Sequence, residues 1–467
     1  MFFVQLNPNV SLERGADENL LAIAHGRAIG LGRFGAEAAE RVGAGLQYND
    51  GLGEKTEIAE LVRRLSLCGM LEYRLARSEG DENLAIIEPQ TRDYVPHITE
   101  VGDDDALALS RFAYIRRRGG DIVLESPLSP ALFRLRDPAI LVMLAHLAEP
   151  RTVKQLRNMP GFAGLELLGM LIDCRLAFTP TDDGGRALRF AEGDPDLVLW
   201  DFHDLLFHTR STSGRHANPS GGRYAYAHVM EMPPAVRPAW PGAPINLRGL
   251  LEPCDAATSP LAQLLRRRRS TRSFDDRQPI TLAELSRFLD ATARVCSRER
   301  VDGDDGSEME FASRPYPSGG SSYELELYLA VGECAGLAPG FYHYDAGRHA
   351  LTPIAAKAEH LRAMLGGAQH HIGSPTPPQI VITIAARFAR VSWKYSAIAY
   401  ALTLKHVGVA MQTFYLMATE MELGACAIGA VDIDLFARMT GVELHIESAV
   451  GQMAIGRGLA ANNVSET

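Results

Sequence analysis

Arg266-Arg267-Arg268-Arg269-Ser270-Thr271-Arg272-Ser273-Phe274 holds the longest run of arginines in the chain. A run of four arginines usually marks the solvated end of a basic helix. This one closes on Ser-Thr-Arg, and Asp275-Asp276 then leads to a new helix expected from Thr281. Several guanidinium forks and a hydroxyl on one turn suit an anionic phosphate, or the polar face of a bound ring system.

The chain downstream supplies further pieces of such a site. Arg314-Pro315-Tyr316-Pro317-Ser318-Gly319-Gly320-Ser321-Ser322 combines serine donors with two glycines that let the backbone come close to a planar ligand. Alternation over 324–331 predicts a strand with Leu325, Leu327 and Leu329 facing a core. Residues 340–345 and 349–354 flank Ala346-Gly347-Arg348 and read as a hairpin. A buried strand is expected over 379–388, with Val-Ile-Thr-Ile at its centre. Ser392-Trp393-Lys394-Tyr395 opens a helix expected to run to about residue 423. It is apolar nearly all round and would span about 40 Å, so it belongs in a core or in a seam between two subunits. Residues 423–429 and a strand over 449–455 close the domain, and Gly456-Arg457-Gly458 sets an unobstructed guanidinium at a strand end.

In this order the motifs resemble a known family. Residues 268–274 are similar to the N-terminal FMN motif of the nitroreductase-like flavoproteins. The 314–320 segment, residues 340–345 and the Lys394-Tyr395 pair resemble one branch, the SagB-type dehydrogenases, which are azoline oxidases of thiazole/oxazole-modified peptide biosynthesis. The resemblance covers roughly residues 250–460. It implies an α+β flavin fold and an obligate homodimer with FMN at the subunit interface. It also implies two-electron oxidation of a thiazoline or oxazoline in a precursor peptide to the azole, with O2 reoxidising the flavin. Catalysis maps onto Lys394 and Tyr395. FMN contacts map onto Arg268, Arg269, Ser270, Arg272, Pro317, Ser318, Gly319, Gly429 and Arg457, the last by position rather than by a matched motif.

Aromatising an azoline removes a proton from the former α-carbon and a hydride from the adjacent carbon. Flavin N5 can take the hydride while a side chain acts as base. Lys394, in the expected first turn of its helix, sits where the dipole and partial burial both disfavour a cation. A neutral Lys394 could be the base, or its charged form could stabilise a Tyr395 phenolate in that role. The bland reading is a core aromatic beside a surface charge.

Upstream, Pro233, Pro234, Pro238, Pro241 and Pro244 cannot sustain a helix or a central strand, and the stretch reads as an extended linker. Ahead of it lies a loose internal repeat. Its first copy has a strand-like start over 4–12, a helix over 54–68, an alternating stretch at 70–75 and a return strand at 84–87. Its second has a strand over 121–125, helices over 138–147 and 165–174, a strand from 176 to 179 and a return at 188–190. Helices followed by two-stranded wings predict two winged-helix-like modules at 1–100 and 101–200, a connecting segment at 201–249 and the flavin domain at 250–467. This half is similar in arrangement to the peptide-binding extensions of cyanobactin oxidases. DNA binding is not expected, because the 54–68 helix mixes Arg63 and Arg64 with Glu54, Glu57 and Glu60, and the 165–174 helix carries Glu166 and Asp173 without a base. Asp201, His203, Asp204 and His208 have metal-ligand chemistry but no further partner cluster, and no metal is assigned. The acidic stretch 302–310 reads as a mobile loop, either a lid or a disordered insertion.

The whole chain of 467 residues fits this picture. Lys and Arg number 47 against 57 Asp and Glu, and the net charge of -10 repels nucleic acid and anionic membranes. No apolar run is long enough to span a bilayer. The six cysteines are scattered without a CxxC, and the N-terminus has no basic region or cleavage site, so a reduced, cytoplasmic protein is expected. Expected partners are an azoline-containing precursor peptide, a cyclodehydratase and a second copy of the chain. Two rivals remain: an NAD(P)H-dependent nitroreductase or flavin reductase, which has no need of the long N-terminal half, and a scaffold subunit with a decayed flavin site, against which the intact motifs argue.

Overall fold

The computed structural model describes residues 1–15, 17–24, 27–47, 56–78, 81–91, 94–180, 192–212, 224, 227–239, 241–247, 259–302 and 308–459. The chain forms two compact units, residues 1–217 and 218–467. The architecture is α+β, with antiparallel sheets and the helices laid against them.

In the first unit, β1 (Phe2–Leu6) stops at Asn7-Pro8-Asn9, where the Val10 amide donates to the Asn7 carbonyl at 2.8 Å. The single strand expected over 4–12 is therefore two, and β2 (Val10–Arg14) joins β3 (Leu20–Ala24) and β4 (Arg27–Gly32) in a separate sheet. The helix Glu57–Leu67 starts at Thr56, whose hydroxyl accepts from the Ala59 amide, and buries Leu61 and Leu65 as its spacing requires. Then follow β5 (Leu46–Gln47), β6 (Leu71–Ala76), β7 (Asn83–Pro89), β8 (Ala106–Leu109), β9 (Tyr114–Arg118), β10 (Asp121–Glu125) and β11 (Ala131–Leu135). Seven of these strands make one sheet in the order β5-β1-β6-β7-β11-β10-β9. The expected pairing of 70–75 with 84–87 is the β6–β7 ladder. β7 also pairs with β11, with Ala85 opposite Leu135, so the sheet runs straight through the division read at residue 100.

Helices Ala139–His146 and Leu165–Asp173 lie where their periodicity placed them. β8 is flanked by β12 (Arg151–Thr152) and β13 (Ala177–Phe178), and the expected return at 188–190 falls outside the described residues. The start of the presumed connector is the helix Phe202–Arg210, whose Arg210 guanidinium donates to Glu125 at 3.0 Å and whose Phe202 meets the Tyr114 ring edge-on. Those residues belong to the first unit rather than to a linker. The described residues of 233–247 are exposed and form neither helix nor strand.

The second unit is built on a six-stranded antiparallel sheet. Its strands are β16 (Leu325–Val331), β17 (Gly340–Asp345), β18 (Ala350–Ile354), β19 (Ile380–Arg387), β20 (Gly424–Ile428) and β21 (Glu447–Gly456), in the order β18-β17-β16-β19-β21-β20. β16 is buried on both faces rather than one. Tyr328 and Ala330 pack with Met364, Leu365 and Phe436, while Leu325, Leu327 and Leu329 fill the other side. The acidic stretch read as a loop carries the ends of a two-stranded ribbon, β14 (Ser297–Asp302) and β15 (Glu308–Ser313), with Asp302 opposite Glu308. Arg300 lies 3.1 Å from the Glu308 carboxylate and offsets part of its charge. Residues 303–307 lie outside the described residues.

The long helix expected from 392 to 423 is broken. A four-residue helix, Ala389–Ser392, ends where the amides of Lys394 and Tyr395 both reach the Val391 carbonyl, at 3.0 and 2.9 Å. The chain then turns through Ala397, at φ +61°, and resumes as the 22-residue helix Ala399–Glu420, about 33 Å long. Among the described residues, no helix is long and apolar enough to cross a membrane.

Candidate active site

The arginine-rich loop is fixed at both ends. The helix Pro260–Arg267 ends at Arg268; beyond it the Thr271 amide donates to Ala425 on β20, Phe274 bridges to Gly458, and the Asp275 amide donates to Arg457. A side chain at Gly424 would press on Thr271 and on the Gly458 backbone, at 2.7 and 3.0 Å, so only glycine admits this approach. Ser270 Oγ lies 2.9 Å from Tyr415 Oη, and Tyr415 Oη accepts from the Ala427 amide at 2.7 Å. The Arg268 guanidinium stacks over the Tyr415 ring. Arg269 and Arg272 are exposed, and Arg268, Arg269 and Arg272 form no ion pair among the described residues. Three unneutralised guanidinium groups on one short loop fit a phosphate.

The second loop is held by a closed chain of hydrogen bonds. The Tyr323 amide donates to Ser318 Oγ at 3.0 Å, and that hydroxyl donates to Glu324 at 3.4 Å. His406 Nδ1 lies 2.7 Å from the other oxygen of Glu324, and the Gly319 amide donates to His406 Nε2 at 2.7 Å. Because Nε2 accepts, the ring is the neutral tautomer with its proton on Nδ1, pointing at the carboxylate. Both His406 and Glu324 are buried. Gly320 follows at φ +58°, in the left-handed region. Pro317 stands exposed at the start of the loop.

Lys394 and Tyr395 meet this loop. Lys394 Nζ donates to the Gly320 carbonyl at 3.3 Å and sits over the rings of Phe311 and Tyr395. A β-carbon on Gly320 would stand 2.5 Å from Tyr395 Oη and 2.7 Å from Lys394 Nζ. A cavity of about 170 Å³ opens here, lined by Phe311, Gly320, Ser321, Trp393 and Lys394 among others. The pair occupies the break between two helices, so the dipole expected to act on Lys394 as a first-turn residue is not there, and Lys394 is exposed rather than partly buried in the single chain. The left-handed Ala397 stores about 1–2 kcal/mol of strain just beyond the pair.

Two expected contacts are placed differently. The Arg457 guanidinium is held by Glu284, at 2.6 and 2.8 Å to its two oxygens, and Arg457 draws that carboxyl below its ordinary range. Both bonds come from one terminal nitrogen, so Arg457 braces the helix Leu282–Ala293 and keeps its other N–H groups. Gly429 is exposed, and a β-carbon there would meet nothing within 4 Å, so no close approach requires glycine at that position. Sequence reading missed His406, Glu324 and Tyr415, the groups that pin the two loops. Asp201, His203 and Asp204 bring ligand atoms within 4.8 Å of one another, but His203 is exposed and lies 3.2 Å from Asp204 as an ion pair.

Substituting Gly320 by Ala tests this geometry. The new methyl displaces the flexible ends of Lys394 and Tyr395 rather than backbone, so the fold is expected to survive with a small drop in Tm. Turnover is expected to fall by about 100-fold, since a displacement of about 1 Å at reacting groups has that effect. Unchanged turnover in a melted-and-refolded control would place the reacting groups elsewhere.

Residues 265–457 match the Nitroreductase family. A protein of Methanocaldococcus jannaschii provisionally named a nitroreductase is 31% identical over 170 residues, covering 36% of this chain and 78% of that protein. The chain belongs to the nitroreductase family. Outside its nitroreductase domain, residues 107–217 match the Cyanobactin oxidase ThcOx family. Among solved structures, the E. coli microcin synthetase McbBCD complex with truncated pro-MccB17 is 18% identical, with a TM-score of 0.40, over 58% of this chain and 99% of that one. A Ralstonia eutropha protein provisionally named a nitroreductase is 24% identical, with a TM-score of 0.34, over 45% and 88%. A Desulfovibrio desulfuricans protein so named, in complex with FMN, is 18% identical, with a TM-score of 0.28, over 45% and 91%.

Proposed function

We propose that this nitroreductase-family chain is an FMN-dependent dehydrogenase that oxidises thiazoline or oxazoline rings of a ribosomally made precursor peptide to thiazole or oxazole. The observation that carries the reading is the Lys394–Tyr395 pair held against the Gly319-Gly320 backbone, on a chain whose other loop carries three unneutralised guanidinium groups. The ThcOx-like segment at 107–217 on the same chain supports a peptide substrate. Bound FMN would supply a two-electron acceptor, with O2 as the final oxidant. Arg268, Arg269 and Arg272 would hold its phosphate, with Ser270 fixed beside them by Tyr415. Lys394 or Tyr395 takes the proton from the former α-carbon as the hydride leaves the adjacent carbon, which balances the two-electron, two-proton oxidation.

Tyr415 and His406 stand nine positions apart on one helix, about two and a half turns, and so point to opposite faces. The Arg-Ser loop and the Ser-Gly-Gly loop are thus pinned on opposite sides of the helix. That arrangement suits a flavin shared between two copies of the chain, each lending one loop. In this reading the first unit, residues 1–217, holds the peptide, and the chain from 218 leads to the flavin domain. A cyclodehydratase supplies the azoline, and the work is done in the cytoplasm.

The visible spectrum of the purified protein under anaerobic conditions, before and after NADPH, tests the reading. The flavin bands are expected to survive NADPH and to bleach on addition of an azoline peptide. Rapid bleaching by NADPH would favour the nitroreductase or flavin reductase alternative, to which the Methanocaldococcus relative points.

A further inference from the structure

A second and larger cavity, of about 720 Å³, lies beneath the β14–β15 ribbon and adjoins the Lys394 pocket. The two share Glu310, Phe311, Ser322 and Arg390 in their walls. Its floor is the end of the six-stranded sheet, and its charges are unevenly matched. Glu326 is shared by Arg314 at 3.6 Å, Arg387 at 3.7 Å and His343 at 3.4 Å, and so is spent on cations already present. Glu447 accepts a hydrogen bond from Tyr328 Oη at 2.7 Å, and burial, with Tyr328 opposing and the Glu326 charge adding, pushes its carboxyl above the ordinary range. Asp345 is bound by the amides of Gly347 and Arg348. Glu310 leans out toward Arg300.

The cations are left with less. Among the described residues Arg390 donates to main-chain oxygens alone, those of Ser322 and Glu310, each at 3.1 Å. Arg298 lies over Gly347 and forms no ion pair among the described residues. The Arg314 side chain is 7% exposed, and its Nε is buried without a hydrogen-bond partner. A buried, unsatisfied guanidinium N–H in a cavity wall is costly unless something from outside completes it.

We infer that this cavity is a subsite for a carboxylate-bearing stretch of peptide, with Arg390 and Arg298 as its recognition groups. The inference rests on the peptide-oxidase reading, and it gives that reading a sequence preference. A ring placed at Lys394 continues, through the wall the two cavities share, into a chamber with room for several residues and with two arginines, Arg298 and Arg390, that have no ion-pair partner among the described residues. The carboxylate is either an Asp or Glu side chain near the ring or a free C-terminus.

Equilibrium binding to the full-length protein tests this without turnover, so its failure leaves the oxidase reading standing. Three fluorescein-labelled pentapeptides serve as probes: one with a central Asp and an amidated end, its Asn counterpart, and an all-neutral peptide with a free C-terminal carboxylate. The Asp peptide is expected to bind about tenfold more tightly than the Asn peptide, the size of one charge-assisted contact. That preference is expected to vanish in Arg298→Gln, which sits on an exposed strand and leaves the fold alone, and in Arg390→Gln, and to persist in Lys394→Ala. Tight binding of the free-acid peptide alone would assign the site to a C-terminus. Equal affinity for all three peptides, or a preference surviving both arginine variants, would overturn the inference, as would no binding of any peptide.

Discussion

Lys394→Ala is expected to lose about 100-fold or more of azoline oxidation while the protein keeps its flavin, its spectrum and its Tm. General acid–base groups contribute on that scale, and Lys394 is exposed, with a single hydrogen bond to Gly320 and no place in the core. Tyr395→Phe removes only a hydroxyl and separates the two roles. If the lysine is the base, the phenylalanine variant retains most of its activity. If a Tyr395 phenolate is the base, both variants fall together, and the lysine acts through charge. Single-turnover kinetics on flavin-loaded protein distinguish the cases. Full activity in both variants would remove the pair from the chemistry.

The largest effect on stability is expected at His406. Replacing it with Leu strips a partner from the wholly buried Glu324 carboxylate and leaves the Gly319 amide without its acceptor. With the imidazole neutral, its removal leaves a buried charged acceptor short of a hydrogen bond, a loss of about 1–3 kcal/mol. Chemical denaturation of His406→Leu should show a loss of that order, and a loss near zero would mean that Glu324 is protonated or satisfied by water. His406→Gln, which can still accept from Gly319 and donate to Glu324, should recover a good part of it. Any flavin bound through the Ser318–Gly320 backbone should be released more readily from the leucine variant than from the glutamine one.

The sequence was most informative where the chemistry is local. The arginine run, the Ser-Gly-Gly loop and the Lys-Tyr pair are short words whose residue types already state a task, and the second and third lie together in space. Their supports were hidden by distance along the chain. His406 and Tyr415 sit within an apolar helical pattern that reads as core, and their partners Glu324 and Ser270 are 82 and 145 residues away. The partner of Arg457 was hidden for the same reason, since Glu284 stands 173 residues earlier and leaves no mark beside the Gly-Arg-Gly. The break at 393–398 contains neither Pro nor Gly, so nothing in its composition announces it. Packing rather than propensity sets it. In the first unit, periodicity located three helices and the strands β6, β7 and β10 but missed the helix Ala36–Ala44 and strands such as β3, β9 and β11, and the β7–β11 ladder that fuses two apparent repeats into one sheet is a long-range pairing that no local pattern encodes.

The helix Ala399–Glu420 does more than occupy the core. One of its side chains receives the Gly319 amide, in the Ser-Gly-Gly loop, and another receives the Ala427 amide, on β20 beside the arginine loop, the two walls that the proposed flavin site would use. Neither wall can be released without disturbing the same rod. The two loops therefore form a single cooperative unit of local opening, with one free energy for both, and amide hydrogen exchange at Gly319 and Ala427 should share a common protection factor. In the proposed flavoprotein, loosening one loop would loosen the other as well, and cofactor escape would follow the stability of the helix rather than the mobility of either loop.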